Sequence, residues 1–203
     1  MRMMGLMGVV MAAHMTMVQA DTLSDALAAR ERGDHQAAYP LWVKLSEQGD
    51  AKATIELGLI HHRGRGVPKD GSKALDWYLK EFPRNGDALN NIGVLFRDGE
   101  GVPQNRQIAY LLFLTVHMTG MGNESTIMRA NGNLRREIVE LPVADREEAL
   151  CLNLTYLVAY VKSRGQMQGV PEHLRASRQR PRIKDLNWWM PDEVGEFSCP
   201  PGT

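Results

Sequence analysis

The sequence is poor in cysteine and has no excess of charge of either sign. Its 203 residues include two cysteines, and 24 lysines and arginines are balanced by 24 aspartates and glutamates. A dedicated nucleic-acid-binding protein usually shows a basic excess, so we predict no nucleic-acid partner. The apolar fraction of 43% and the charged fraction of 24% are ordinary for a folded globular protein. Composition therefore indicates a folded chain and leaves its function open.

The common catalytic and metal-binding motifs are absent as well. No G-x-S-x-G, H-E-x-x-H or C-x-x-C sequence occurs. The stretch 66–73 is close to a phosphate-binding loop, but Ser72 precedes Lys73 and the motif requires a preceding strand. His61 and His62 are adjacent, so on a helix they point to different faces, and no third ligand is nearby. We therefore predict no catalytic residue, no metal site and no cofactor.

The first 20 residues contain a long uncharged apolar run. Arg2 is followed by 11 apolar residues, 3–13, and then by the small-residue pattern Val18-Gln19-Ala20. This is the anatomy of a secretory signal peptide, and the run is shorter than the roughly 20 residues of a membrane anchor. No cysteine precedes Cys151, which argues against a lipid anchor at a new N-terminus. We predict cleavage after Ala20 and a soluble periplasmic protein.

The middle of the chain repeats itself at an offset of 35 residues. Each copy reads as two amphipathic helices separated by a turn, in which paired glycines supply positive φ. Asp70 and Asn105 stand where the second helix needs an N-cap. Gly58 and Gly93 fall in mid-helix, at a cost of up to ~1 kcal/mol each, which predicts close helix–helix contact there. Residues 53–70 match residues 88–105, through pairs that include Gly58/Gly93, Gly64/Gly99, Gly66/Gly101 and Pro68/Pro103.

The repeated pattern points to a known family. Residues 51–86 carry A-x-x-x-L-G, G-x-G-V-P-x-D, K-A and W-Y-x-K, and they closely resemble the Sel1-like repeat, a helical hairpin related to the tetratricopeptide repeat. Residues 88–122 match well, with Ile108 in place of the lysine. In the family a tyrosine usually stands where this chain has His61 and Phe96. The resemblance therefore implies that His61 is a packed side chain.

The resemblance implies an all-α fold. We expect a right-handed solenoid of Sel1-like, TPR-like helical hairpins with a concave face, a C-terminal capping helix pair and an irregular tail. Pro40 lies within the second helix of the opening half-repeat and predicts a kink or an early break there. The expected segments are a signal peptide at 1–20, a half-repeat at 21–50, two repeats at 51–122, capping helices at 123–163, and a basic then acidic tail at 164–203.

The resemblance also implies where a partner would bind. In the family, first-helix residues that differ between repeats would face the concave groove. The residues predicted to bind a partner in this groove are Glu56, His62 and Arg63 in the first copy, and Asn90, Asn91 and Arg97 in the second.

The tail is a second candidate for binding. Between residues 162 and 184 it carries seven basic residues and one acid, and Trp188 and Trp189 lie within the more acidic stretch that follows. Either this tail is a solvated extension whose tryptophans pack back onto the helices, or it is a clamp for an acidic partner or anionic lipid headgroups. Cys151 and Cys199 form an even pair, which an oxidising periplasm favours as a disulfide; two free thiols are the alternative.

Solenoids usually bind other proteins, so we predict a non-enzymatic, periplasmic, protein-binding solenoid. The resemblance implies one sharper hypothesis, because small exported Sel1-like proteins include immunity proteins that neutralise phospholipase effectors of the type VI system. The partner would then be a toxin encoded by an adjacent gene. The alternatives are an adaptor or regulator of an envelope assembly or signalling system, a hydrolase, and a peripheral membrane protein that binds through residues 162–184.

Overall fold

The computed structural model describes residues 21–150 and 154–166, and every regular element in that part of the chain is an α-helix. The described part of the chain divides into two compact units, the first ending at Phe82 and the second beginning at Pro83. The predicted all-α fold built from helical hairpins is confirmed. The first unit contains α1 (residues 21–31), α2 (His35–Glu47), α3 (Ala51–Arg63) and α4 (Gly71–Glu81). The second contains α5 (Gly86–Asp98), α6 (Arg106–Thr119), α7 (Glu124–Glu140), α8 (Val143–Leu150) and α9 (Leu154–Lys162).

In the first unit, aspartates fix where the helices begin. The side chains of Asp34, Asp50 and Asp70 each accept a hydrogen bond from the amide three residues further on, at 2.9–3.0 Å. These bonds satisfy amides that have no partner within the helix. The core of this unit is formed by buried apolar side chains of α1, α2 and α3, namely Ala26, Ala29, Ala38, Trp42, Leu45, Ala53, Leu57 and Ile60.

Helix α2 does not end at Pro40. It runs from His35 to Glu47 through the proline. The proline is exposed, whereas Trp42 and Leu45 after it are buried in the core. Burial of these two large side chains offsets the single amide hydrogen bond that the proline removes. The expectation of an early break at this position is therefore wrong.

In the second unit, α6 is buried on nearly all sides. Every residue from Ile108 to Leu114 is buried, and α6 contacts α5, α7 and α8. A helix that is apolar all round has to be surrounded by other elements, and segment 123–163 supplies them. That segment holds α7, α8 and α9, with residues 151–153 between the last two outside the described ranges.

The described part of the chain ends beside the turn between α5 and α6. The Tyr160 hydroxyl accepts a hydrogen bond from Asn105 Nδ2 at 3.0 Å, and Gly165 lies against Phe96 and Pro103. The last described residues before position 167 therefore lie at this end of the second unit.

Several predictions concern residues outside the described ranges. These are the signal peptide at 1–20, the cysteine pair Cys151 and Cys199, the tryptophans Trp188 and Trp189, and the basic stretch beyond residue 166. Among helices of residues 21–150 and 154–166, none combines the length and apolar character that crossing a membrane would demand.

Candidate functional site

The two repeat turns have the same hydrogen bonds. Gly64 and Gly99 end α3 and α5 in the left-handed conformation, with φ of 68° and 72°. The amides of Asp70 and Asn105 donate to a carbonyl near the end of the preceding helix, both at 2.8 Å. Their side chains then cap α4 and α6. These shared positions are therefore scaffold, and any binding function has to be sought elsewhere.

The mid-helix glycines allow close contact within each hairpin. A Cβ atom at Gly58 would overlap the ring of Tyr78, and a Cβ atom at Gly93 would lie 2.6 Å from Phe113 Cε1. Real Cβ atoms essentially never approach a neighbour so closely. The predicted close approach of the two helices is confirmed in both hairpins.

His61 is a packed residue, as the resemblance implies. It is 7% exposed, and its Nε2 lies 3.2 Å from the Tyr39 hydroxyl, with the two rings edge to face. Its Nδ1 is buried and has no hydrogen-bond partner among the described residues. Burial lowers the pKa of His61, and the charge of Lys73 lowers it further. The neutral ring is therefore the form that fits this site.

His62 lies on a different side of α3 and is half-buried. Its Nδ1 is 3.4 Å from the hydroxyl of Tyr78, and burial raises the pKa of that tyrosine. His62 is thus partly used by the hairpin itself. In the described ranges, no group of three or more histidine, cysteine or acidic side chains could hold a metal ion.

The remaining predicted residues of the first unit lie on an accessible side of α3. Arg63 is exposed, and Glu56 pairs with Arg30 of α1 at 2.8 Å. Lys52 and Leu59 fall on the same face of the helix, because these positions follow each other at intervals of three or four residues. This surface, made of Lys52, Glu56, Leu59 and Arg63, is called the α3 face below.

The equivalent residues of the second unit are not on an open surface. Asn90 and Asn91 are 3% and 6% exposed. Asn133 of α7 donates to Asn90 Oδ1 at 3.0 Å and accepts from Arg97 Nη1 at the same distance. Arg97 also donates two hydrogen bonds to Asp98, and this pairing raises the pKa of Arg97. Helix α7 covers Asn90 on this side of α5, so neither Asn90 nor Asn91 lies on an open surface.

A buried charge pair joins α6 to α7. The carboxylate of Glu137 is fully buried and accepts a hydrogen bond from Arg106 Nε at 2.9 Å, while Arg106 Nη2 reaches Glu140 at 2.7 Å. Bonds to these two carboxylates raise the pKa of Arg106. The sequence alone does not reveal this pair, because the two residues are 31 positions apart and no motif connects them.

One face of α7 is open to solvent along the helix. Met128 and Val139 are 66% and 84% exposed, and a Cβ atom at Gly132 would meet nothing within 4 Å. The residues of this face are spaced three or four apart, which was a signal available in the sequence. This outer face of α7 consists of Ser125, Met128, Arg129, Gly132, Arg135, Arg136 and Val139.

The chain is similar to proteins that contain Sel1 repeats. The family model described as "Sel1 repeat" matches residues 51–80 and 86–114. Two relatives from Arabidopsis thaliana are the ERAD-associated E3 ubiquitin-protein ligase components HRD3B and HRD3A, at 33% and 32% identity over 76 residues. Each match covers 37% of this chain, but 13% of HRD3B and 11% of HRD3A, respectively.

One solved structure that this chain is similar to is the crystal structure of a Sel1 repeat protein from Oxalobacter formigenes. It is 17% identical, with a TM-score of 0.41, over 71% of this chain and 63% of that chain. The family model matches the two hairpins that share turns, caps and mid-helix glycines. The chain therefore contains two Sel1 repeats, at residues 51–80 and 86–114.

Proposed function

We propose that this chain is a non-catalytic, protein-binding repeat module. The observation that carries the proposal is the pair of Sel1 repeats at residues 51–80 and 86–114, since Sel1 repeats mediate protein–protein interaction. In both repeats the shared residues build turns and close packing, which leaves the differing surface residues for a partner. The α3 face is the binding surface we favour, because Lys52 and Arg63 on it are exposed and because Glu56 and Arg63 differ from their counterparts in the second repeat.

The finer proposal is a periplasmic immunity protein that neutralises a phospholipase effector of the type VI system. It rests on the signal-peptide pattern of residues 1–20 and on the resemblance to small exported Sel1-like proteins. A single-purpose binder of this size would form a tight complex with equal numbers of both chains. The product of an adjacent gene is the first partner to test.

The test is co-expression and co-purification with the neighbouring gene product, together with survival of cells that export this toxin. We expect a 1:1 complex and protection by the parent protein. The variant Lys52→Glu/Arg63→Glu on the α3 face should weaken the complex and the protection. The variant Lys44→Glu/Glu47→Lys, at exposed positions of α2, should leave the complex and the protection unchanged. A neighbour that encodes no toxin, or a toxin that forms no complex, would reject the immunity role while leaving the protein-binding role standing.

The second candidate is an adaptor or regulator of an envelope assembly or signalling system. The Arabidopsis relatives are components of a larger ligase, so their shared region belongs to proteins that act within an assembly. Capture of one envelope complex that is lost in Lys52→Glu/Arg63→Glu would favour this role. Hydrolysis of β-lactams, peptidoglycan or lipid esters by the purified chain, abolished by one histidine or serine substitution, would instead establish an enzyme.

Peripheral membrane contact through residues 162–184 is a separate hypothesis that rests on their seven basic residues. We expect flotation with vesicles of anionic lipid at low salt. Release at high salt would assign the contact to surface electrostatics, and absence of flotation would reject it.

A further inference from the structure

The outer face of α7 is basic and partly apolar. Arg135 and Arg136 are exposed and make no ion pair with the described residues, whereas Arg129 pairs with Asp87. The exposed acidic residues of α7 stand at its two ends, namely Glu124 and Glu140, and Glu140 pairs with Arg106. At Gly132 nothing lies within 4 Å of the Cβ position, so the surface between Met128 and the two arginines is open. A face of this kind fits a ligand that combines carboxylates with flat apolar groups.

We propose that residues 185–196 of this chain dock on the outer face of α7. This segment carries four acidic residues and no basic residue, so its charge is complementary to that of the face. It also contains Leu186, Trp188, Trp189 and Met190, which can cover Met128 and Val139. An arginine beside an indole ring adds a cation–π contact to the ion pairs. The docking is intramolecular and does not depend on the proposed function.

The chain is long enough to make this contact. Residue 165 lies against the turn between α5 and α6, and Arg106, which follows this turn, bonds Glu137 and Glu140 in the last turn of α7. The tail therefore starts near one end of the proposed docking face. Residues 167–184 can span up to roughly 60 Å when extended. The 17 residues of α7 measure about 25 Å, so every part of the face is within reach.

The test uses the full chain labelled with 5-fluorotryptophan and observed by fluorine NMR. Its four tryptophans give four resonances, and Trp188→Phe and Trp189→Phe assign the two that belong to the tail. Arg135→Glu/Arg136→Glu reverses the charge of the docking face. Adding Asp192→Arg/Glu193→Arg to this variant gives a charge-swapped variant, in which the tail and the docking face again carry opposite charges. Lys52→Glu/Arg84→Glu is the matched control, since both residues are exposed and basic and lie elsewhere.

We expect the two tail resonances to differ from those of the isolated peptide 185–196. In Arg135→Glu/Arg136→Glu they should move to the peptide positions, and in the charge-swapped variant they should return. The buried Trp42 should keep its resonance in each variant, which verifies the fold. Raising the salt to 1 M in the parent chain should shift the tail resonances in the same direction without a substitution, because screening weakens the ion pairs.

Tail resonances of the parent that coincide with those of the isolated peptide would overturn the proposal. An equal response to the control variant would also overturn it. A response that grows with protein concentration, together with a dimer in sedimentation velocity, would assign the occupant to a second copy and reject intramolecular docking.

Discussion

At the residue scale, His61 makes the first unit sensitive to acid. The unfolded chain binds a proton at this ring with an ordinary pKa near ~6.5, and burial lowers the pKa in the folded state. The stability that rests on the neutral ring is therefore fully present above the pKa of the unfolded chain, and it is lost as the pH falls through the lower pKa of the folded state. A protonated ring would carry an N–H on both nitrogens, and the buried Nδ1 has no acceptor among the described residues.

We expect the urea concentration at the unfolding midpoint of the first unit to decrease as the pH is lowered from 7 to 5. His61→Phe, which introduces the residue found at Phe96 of the second repeat, should remove most of this pH dependence. His35→Gln at the start of α2 is the control and should retain it. Equal slopes for the parent and His61→Phe would contradict the assignment. Urea titrations at stepwise pH give the answer.

The mid-helix glycines lead to a second prediction at this scale. Gly58→Ala and Gly93→Ala should each lower the free energy of unfolding by about 1–3 kcal/mol, because the new methyl group would collide with Tyr78 or Phe113. Helix propensity alone would give the opposite sign, a gain of up to ~1 kcal/mol. Lys52→Ala on the exposed side of α3 should change stability by less than about 0.5 kcal/mol. Denaturant unfolding distinguishes these outcomes, and a stabilised alanine variant would show that the helices can separate at little cost.

At the element scale, the pair Arg106–Glu137 holds α7 against α6. Arg106→Ala would leave the fully buried carboxylate of Glu137 without its cation, and we expect a loss of about 3 kcal/mol. Arg106→Met/Glu137→Leu removes both charges and should recover most of the stability. Chemical unfolding followed by circular dichroism measures both. If the single and the double variant lose the same free energy of unfolding, Arg106 and Glu137 do not act as a buried charge pair.

A hydrogen bond ties α9 to the turn of the second repeat. Tyr160→Phe removes the acceptor of Asn105 Nδ2 and should cost about 0.5–1.5 kcal/mol, with faster amide exchange in α9. Asn105→Ala also removes the N-cap of α6, adding about 1 kcal/mol. Asp70→Ala removes the same cap in the first repeat, so it should cost a similar amount and leave exchange in α9 unchanged. Unchanged exchange in Tyr160→Phe would show that other contacts hold α9.

At the scale of the whole molecule, export and the cysteine pair can be tested together. We expect the protein recovered from its own cells to begin at Asp21 and to bind no thiol reagent unless it is first reduced. Intact-mass measurement before and after alkylation reports both properties. A retained Met1 would contradict cleavage, and alkylation of Cys151 and Cys199 without reduction would favour the free-thiol alternative.

Most of the hairpin fold was predictable from residues that act locally. Glycines with positive φ, the caps Asp70 and Asn105 and the apolar spacing of the helices depend on neighbours within a few residues, so the sequence reveals them directly. The same holds for the mid-helix glycines, since a costly residue recurring at one register already indicates close packing. Pro40 does not end α2, because its local penalty is smaller than the stabilisation from burying Trp42 and Leu45 after it.

The accessible surface of the two repeats depends on tertiary contacts between segments that are far apart in the sequence. By itself, the sequence determined the repeat, its turns and the packed character of His61, since these follow from backbone preferences and side-chain size over short distances. Only the tertiary structure decided which differing residues stay accessible. It placed Asn133 over Asn90, joined Arg106 to Glu137 across 31 residues, and left the outer face of α7 open. Whether a residue is exposed depends on which distant segments of the chain pack against it. The local sequence around a residue therefore does not reveal whether it becomes covered.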